Sequence, residues 1–488
     1  MNQRMPDWLV HRAAAMPDTE ALVTEEGELT YRDLDDRVQV AAGGLRALGV
    51  QPGDRVALVA TNSLQFVVAV HAVARTGAVL VPINIRLTAA EVASQLARVH
   101  PSIILCDEMH AALAHEAAGL AELSGVVGLP IAGAPPADPV VTHGPNEDLC
   151  IIHTSGTTGA ARGAVLTYGN FWASAAGSAY NLGVLPGDRW LACMPLFHVG
   201  GLSILLRSAI YGTSAVVHPG FDAGRVARAI REDRISLLSV VATMLQRILD
   251  EDPGSAPDHL RAVLVGGGPV PPDLLRRALE RGYPVVQTYG LTECASQVTT
   301  LSPADATRRL GSAGKPLVTT EVRVDAEAGQ PGEILVRGPI VMAGYYDDTA
   351  ATARAIRDGW FHTGDIGRLD DDGFLTILDR RDDLIVSGGE NVYPAEVEAA
   401  LLAHPAISGA AVVGLSDAQW GQVVAAGIVA EGEVSLADIQ GALKGRLASY
   451  KMPRVIARLD SLPTTSSGKT QRHLVREILA RNRDGETG

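Results

Sequence analysis

The sequence predicts an α/β fold: a large N-terminal domain of helix-covered sheets, followed by a small α+β C-terminal domain. Three observations carry this. Short apolar runs such as RVALVA, AVLVPI, SIILC, LCIIH, SAVVH, SLLSVV and RAVLVG alternate with longer amphipathic stretches, the pattern of parallel strands buried beneath helices. The chain is 488 residues long, beyond the size at which one hydrophobic core keeps growing. Near residue 379 the texture changes, where LDRRDDLIVSGG crowds charges into a short span and ends in two glycines.

Taken in order, the opening MNQRMPDWLVHRAAAMPDTE carries Asp7, His11 and Arg12 where an export signal needs an unbroken apolar core. YRDLDDRVQVAAGGLRAL reads as an amphipathic helix, and RVALVA as a strand. The most apolar long window, FVVAVHAVARTGAVLVPINI, is interrupted by His71, Arg75 and Pro82. It therefore predicts a buried helix running into a strand, not a membrane span. AGAPPADP, near residues 132 to 139, is a surface loop. A boundary placed at Asp382 divides the chain into 1–381 and 382–488. Beyond it follow a helix (PAEVEAALLAHP), two strands (GAAVVGL and VVAAGIVA), a further helix (LADIQGALKGRLAS) and a charged tail.

The 41 Lys and Arg against 55 Asp and Glu give a formal net charge of -14. That balance disfavours nucleic acid and anionic membrane as partners and requires any anionic substrate to meet a local basic group. Cys106, Cys150, Cys193 and Cys294 have neither metal-site nor disulfide-framework spacing, which fits a reducing cytoplasm.

TSGTTGAARG, residues 154 to 163, follows the strand-like run LCIIH. Gly156 and Gly159 permit tightly curled backbone, and Thr154, Ser155, Thr157 and Thr158 add hydroxyls, so free amides and hydroxyls can cradle a polyphosphate. The spacing is not that of a Walker A loop, and a plain Ser/Thr/Gly surface turn is the competing reading. Its company changes the odds: YGLTE at 289–293, HTGDIG at 362–367, LDRRDDLIVSGGENVYPAEVE at 378–398 and PTTSSGKTQR at 463–472 follow in order.

With these motifs the chain resembles the adenylate-forming superfamily of acyl- and aryl-CoA synthetases, from ELTYRDLDDRV to SSGKTQR. The resemblance implies an enzyme whose small C-terminal domain is mobile, and gives each motif a task. Thr154, Ser155, Gly156, Thr157, Thr158 and Gly159 would surround the ATP phosphates, Thr292 would touch the α-phosphate, and Glu293 would bind Mg2+, a hard cation that prefers oxygen ligands. Gly266, Gly267 and Gly268 would let backbone approach the adenine, beside Tyr289 and Gly290. Asp365 would accept from both ribose hydroxyls and Arg380 would add a cation nearby. Lys469 would bridge the substrate carboxylate and the α-phosphate as charge builds during adenylation. Asp382 matches the hinge, and Gly388 and Gly389 would line a tunnel for the thiol arm of coenzyme A.

One departure stands out. Where the family usually has Pro-Lys-Gly, this chain has Ala161, Arg162 and Gly163. Arginine keeps the positive charge and offers a planar fork for phosphate.

NLGVLPGDRWLACMPLFHVGGLSILLRSAIYG, RAVLVGGGPVP and YGLTECASQVTTLSP most closely resemble the o-succinylbenzoate-CoA ligases of menaquinone biosynthesis. In that family a basic residue nine positions after the motif histidine meets the substrate; here the count from His198 lands on Arg207. Arg207 lies within the apolar run ILLRSAIY, where an unpaired charge is expensive. An o-succinylbenzoate substrate would have one carboxyl activated and the other held. The alternatives for Arg207 are snorkelling to solvent or pairing with a structural carboxylate. His198 is equally readable as a pocket gate or a packed core histidine; Thr243 and Gly290 join it as acid-pocket residues. Cys294 reads as a packing residue rather than a nucleophile. Other readings left open are an acyl-CoA synthetase for medium-chain or aromatic acids, a carrier-loading adenylation protein, and a silent nucleotide binder. A homodimer is compatible with each.

Overall fold

The computed structural model describes residues 4–136, 138–154, 161–268, 270–379, 384–430, 432, 434–463 and 470–485. Contacts divide the chain into two compact units: a larger one of Met1–Ile85, Leu96–His153 and Gly163–Leu378, and a smaller one of Arg86–Gln95, Thr154–Arg162 and Asp379–Gly488. Asp382, the expected boundary, lies outside the described residues.

Two sheets of the larger unit are largely parallel. One has nine strands, with Val285–Leu291, Ala262–Val265, Leu237–Val240, Arg189–Ala192, Ser214–Val217 and Glu20–Thr24 running parallel in that order. Antiparallel strands close both of its edges. In the other, of seven strands, Val79–Pro82, Arg55–Val59, Ile103–Cys106 and Val126–Gly128 run parallel. Their inner strands are buried along their length, because helices cover both faces and leave no reason for polar alternation. The apolar window at residues 66–85 becomes most of the helix Leu64–Thr76 and the strand Val79–Pro82, with a left-handed Gly77 (φ 72°) between them. Among the described residues no helix is long and apolar enough to cross a membrane.

A third sheet departs from the parallel expectation. Glu321–Asp325, Gly332–Arg337, Trp360–Leu369 and Ile356–Arg357 pair antiparallel. Glu321–Asp325 alternates exposed and half-buried residues, as one open face requires, and so shows no apolar run to read.

In the smaller unit, Gly421–Ala430 pairs antiparallel with Ile407–Asp417 and parallel with Val455–Arg458. Side chains from Pro394–Leu402 and Leu436–Leu443 fill one apolar cluster with this sheet, and Val475 and Leu479 of the last helix fill another. Leu436–Leu443 begins at a capping box, Ser435 with Asp438, and stops short of the predicted LADIQGALKGRLAS, with Gly445 at φ 79° beyond it. Arg86–Gln95 belongs to this unit through ion pairs from Arg86 to Glu390 (2.9 Å) and from Glu91 to Lys451 (2.6 Å).

Candidate active site

In the larger unit the strand Val285–Leu291 delivers Tyr289 and Gly290 to its C-terminal end. The chain then makes one 3-10 turn, Thr292–Cys294, and reverses into Ser296–Thr300. Ligands of open parallel sheets bind at this end of the strands. The reversal is tight enough to demand glycine: a Cβ on Gly290 would lie 1.7 Å from the Ser296 carbonyl oxygen. Gly266, at the end of the neighbouring strand Ala262–Val265, would bring a Cβ within 2.8 Å of the Thr288 carbonyl oxygen. Two bare backbone stretches therefore lie side by side, with Gly267 (φ 76°) and Gly268 continuing the turn.

The buried Tyr289 donates its hydroxyl to Asp365 Oδ2 at 2.7 Å. Burial, reinforced by the Asp365 charge, holds that phenol protonated far above its usual range. One carboxylate oxygen of Asp365 is thus fixed in direction, and the remaining lone pairs can accept from a ligand. Glu293 is half-buried; its Oε1 accepts from the Tyr345 hydroxyl at 3.0 Å and its carbonyl from the Met342 amide at 2.8 Å. Thr292 beside it is half-buried. Cys294 is fully buried, and burial, with Glu293 and Asp365 adding to it, keeps its thiol protonated, which rules against a thiolate nucleophile.

Arg207 sits in the helix Val199–Tyr211, which starts at His198 and stops at a left-handed Gly212. It is 3 % exposed. One guanidinium nitrogen donates to Ser174 Oγ at 3.0 Å, and the Ser174 hydroxyl donates in turn to the Ala295 carbonyl at 2.7 Å. The Trp190 ring lies 5.6 Å from the guanidinium carbon, and Nε has no partner among the described residues. Arg207 is too buried to reach water, and its hydrogen bond among the described residues goes to a hydroxyl, not to a carboxylate. Burial lowers its proton affinity. His198 is half-buried with its ring edge against Phe197, centroids 4.7 Å apart, and Thr243 is half-buried in the first turn of Ala242–Glu251.

In the smaller unit, Thr154 Oγ1 donates to the Arg162 carbonyl at 3.3 Å across the base of the glycine-rich loop. Gly388 (φ 60°) and Gly389 (φ 85°) form the turn between Ile385–Ser387 and Glu390–Val392. A Cβ on Gly388 would meet the Trp420 ring at 2.7 Å. Ser155, Gly156, Thr157, Thr158, Gly159, Arg380 and Lys469 lie outside the described residues. Sequence reasoning overlooked Ser174 and Tyr345. Neither sits in a recognisable motif, and only folding brings Ser174 to Arg207, 33 positions away, or Tyr345 to Glu293, 52 away.

Residues 9–346 match the family model for the AMP-binding enzyme, and residues 396–469 match that for the AMP-binding enzyme C-terminal domain. The chain belongs to the AMP-binding enzyme family. A 2-succinylbenzoate--CoA ligase from Bacillus cereus is 41% identical over 485 residues, covering 98% of this chain and 99% of that one. An o-succinylbenzoate CoA synthetase from Bacillus subtilis, a double mutant bound with a product analogue, superposes with a TM-score of 0.93 at 38% identity, covering 97% of this chain and 99% of that chain. The Bacillus subtilis synthetase in complex with ATP and magnesium ion gives 0.75 at 38% identity, covering 98% and 100%. The close backbone at Gly266 and Gly290 and the Asp365 carboxylate oriented by Tyr289 are features of this AMP-binding enzyme's larger unit.

Proposed function

We propose that this AMP-binding enzyme is an acid–CoA ligase that activates 2-succinylbenzoate with ATP and transfers it to coenzyme A. The observation that carries the substrate is Arg207, a buried cation that meets no carboxylate among the described residues. A dicarboxylic acid supplies the missing charge with the carboxylate that does not react.

The first step joins a carboxylate oxygen of the acid to the α-phosphorus of ATP and breaks the bond to the bridging oxygen, releasing pyrophosphate. Asp365, oriented by Tyr289, accepts from the ribose hydroxyls. The backbone at Gly266, Gly267, Gly268 and Gly290 lies against the base. Thr292 meets the α-phosphate, while Thr154, Ser155, Gly156, Thr157, Thr158, Gly159 and Arg162 hold the departing phosphates. A magnesium ion, when bound, would supply positive charge against the phosphates. Glu293 suits it, being a carboxylate oriented by Tyr345. Lys469 and Arg380 add positive charge where negative charge concentrates. In the second step the CoA thiolate attacks the acyl carbon and AMP leaves with both electrons of the acyl–oxygen bond. His198, Thr243 and Gly290 border the acid. The division into 1–381 and 382–488, a hinge at Asp382 and a thiol path along Gly388 and Gly389 complete the reading. Buried free thiols at Cys106, Cys150, Cys193 and Cys294 suit work in the cytoplasm.

The test is pyrophosphate exchange and CoA-dependent AMP release over a panel of acids. 2-Succinylbenzoate should exceed benzoate and medium-chain fatty acids in both assays. A wide margin for one of those acids, or exchange without CoA-dependent AMP release, would overturn the assignment.

A further inference from the structure

Gln297 is 3 % exposed, and neither its Oε1 nor its Nε2 finds a hydrogen-bond partner among the described residues. A primary amide can donate twice and accept twice, and burying one bare is costly enough that such groups demand a reason. Its position supplies one. Gln297 stands on the strand Ser296–Thr300 as the register partner of Gly290, where a Cβ on Gly290 would come within 3.1 Å of the Gln297 Cα. Immediately upstream, Ala295 and Ser296 hold φ of 48° and 98°, two consecutive non-glycine residues in a region that costs about 1–3 kcal/mol each. That strained turn points the Ala295 carbonyl at Ser174, the residue that receives the Arg207 guanidinium. The hydrogen-bonded chain from Arg207 through Ser174 thus ends two residues before Gln297. Arg207 Nε is likewise without a partner among the described residues, so two buried groups, one on each side of this relay, keep donors in reserve.

We propose that Gln297 is a specificity-determining residue that donates its amide N–H to the non-reacting carboxylate of the acid alongside Arg207. The inference rests on the reading of the substrate as 2-succinylbenzoate. Arg207 supplies charge; Gln297 supplies a neutral, directional donor. Together they favour an acid carrying a second carboxylate, because a monocarboxylic acid leaves both donors bare in the interior.

The experiment uses the full-length protein and measures kcat/KM in pyrophosphate exchange for 2-succinylbenzoate, 4-oxo-4-phenylbutanoate and 2-butanoylbenzoate. Each of the last two keeps only one carboxyl. The wild type tests the underlying reading: without a preference for 2-succinylbenzoate over both analogues, that reading fails and this inference with it. Given the preference, Gln297→Leu should lower kcat/KM for 2-succinylbenzoate roughly 10- to 100-fold, chiefly through KM, while changing the better analogue less than about 3-fold. Gln297→Glu should lose more, since its carboxylate repels the one it faces. If the preference survives in Gln297→Leu, or all three acids lose equally, the specificity role is overturned while the substrate reading stands. Unfolding of both Gln297→Leu and Gln297→Met would make the amide structural and would also overturn it.

Discussion

In the smaller unit Lys451 is 4 % exposed, and its ammonium lies 2.6 Å from Glu91 and 2.7 Å from Glu396. In the larger unit Arg207 is 3 % exposed, and its described contacts are one serine hydroxyl and the face of one tryptophan. Both cations have lost most of their water, yet among the described residues only Lys451 has carboxylates in exchange. Burial works against the charged form of Lys451, but Glu396 and Glu91 outweigh it and the net shift is upward. Arg207 has no such compensation, and its shift is downward. On the proposed reading, the contrast separates a cation that holds structure together from one kept for a ligand: a protein keeps an uncompensated buried charge at a cost in stability where function uses it.

Removing the partnered cation should have the largest effect. Lys451→Met leaves Glu91 and Glu396 facing each other in a buried setting, and loss of one partner from such a group costs about 3–5 kcal/mol. Hydrogen exchange along Gly421–Ala430 under mild urea should report that loss in the smaller unit. A cost below about 1 kcal/mol would erase the distinction between the two cations.

The cation without a described carboxylate should behave in the opposite way. Arg207→Met should leave urea stability unchanged or raise it, because an uncompensated charge is replaced by an apolar chain of similar length. Its kcat/KM for 2-succinylbenzoate should fall by about 2–4 kcal/mol in activation free energy. Monocarboxylic acids should be far less affected. If the variant unfolds, Arg207 is structural after all and the comparison breaks.

Buried histidines of the larger unit sharpen the same point, since they are uncompensated in the other protonation state. Burial pulls the pKa of His71 down to about 4, with Asp7 opposing and Arg75 assisting. Burial, assisted by Arg98, does the same for His153. Each native pKa lies below the unfolded value of about 6.5, so the unfolded chain takes up protons first as pH falls. Stability is fully present above about pH 6.5 and drains away between there and about pH 4, by about 1 kcal/mol per pH unit for each ring. Urea midpoints measured from pH 7 to pH 5 should show this slope, and it should flatten in His71→Gln. A flat profile in the wild type would mean the rings carry protons in the native state.

What could be read from the sequence follows from the range of the interactions. The parallel strands were legible because each is an unbroken apolar run, as in SIILC and RAVLVG. The antiparallel strand Glu321–Asp325 was not, because its half-exposed alternation looks polar. Arg207 was legible because one charge interrupts ILLRSAIY. Its relay through Ser174 to Ala295 was not, because the partners are 33 and 121 positions apart and share no local signature. The extreme case is Lys451 with Glu91, 360 positions apart. That long-range pairing is why a linear division of the chain could not anticipate the place of Arg86–Gln95.

The smallest effect belongs to the residue that first made the phosphate loop look unusual. Arg162 opens the strand Arg162–Thr167, and its backbone carbonyl, not its side chain, receives the Thr154 hydroxyl. Arg162→Lys therefore preserves that bond and the positive charge, giving up only the planar fork. Holding a polyphosphate depends first on charge and on loop amides, so KM for ATP in pyrophosphate exchange should rise less than about 3-fold, under 1 kcal/mol. Arg162→Ala, which removes the charge while keeping the same backbone, should cost more. If lysine proves as damaging as alanine, the planar fork rather than the charge grips the phosphate.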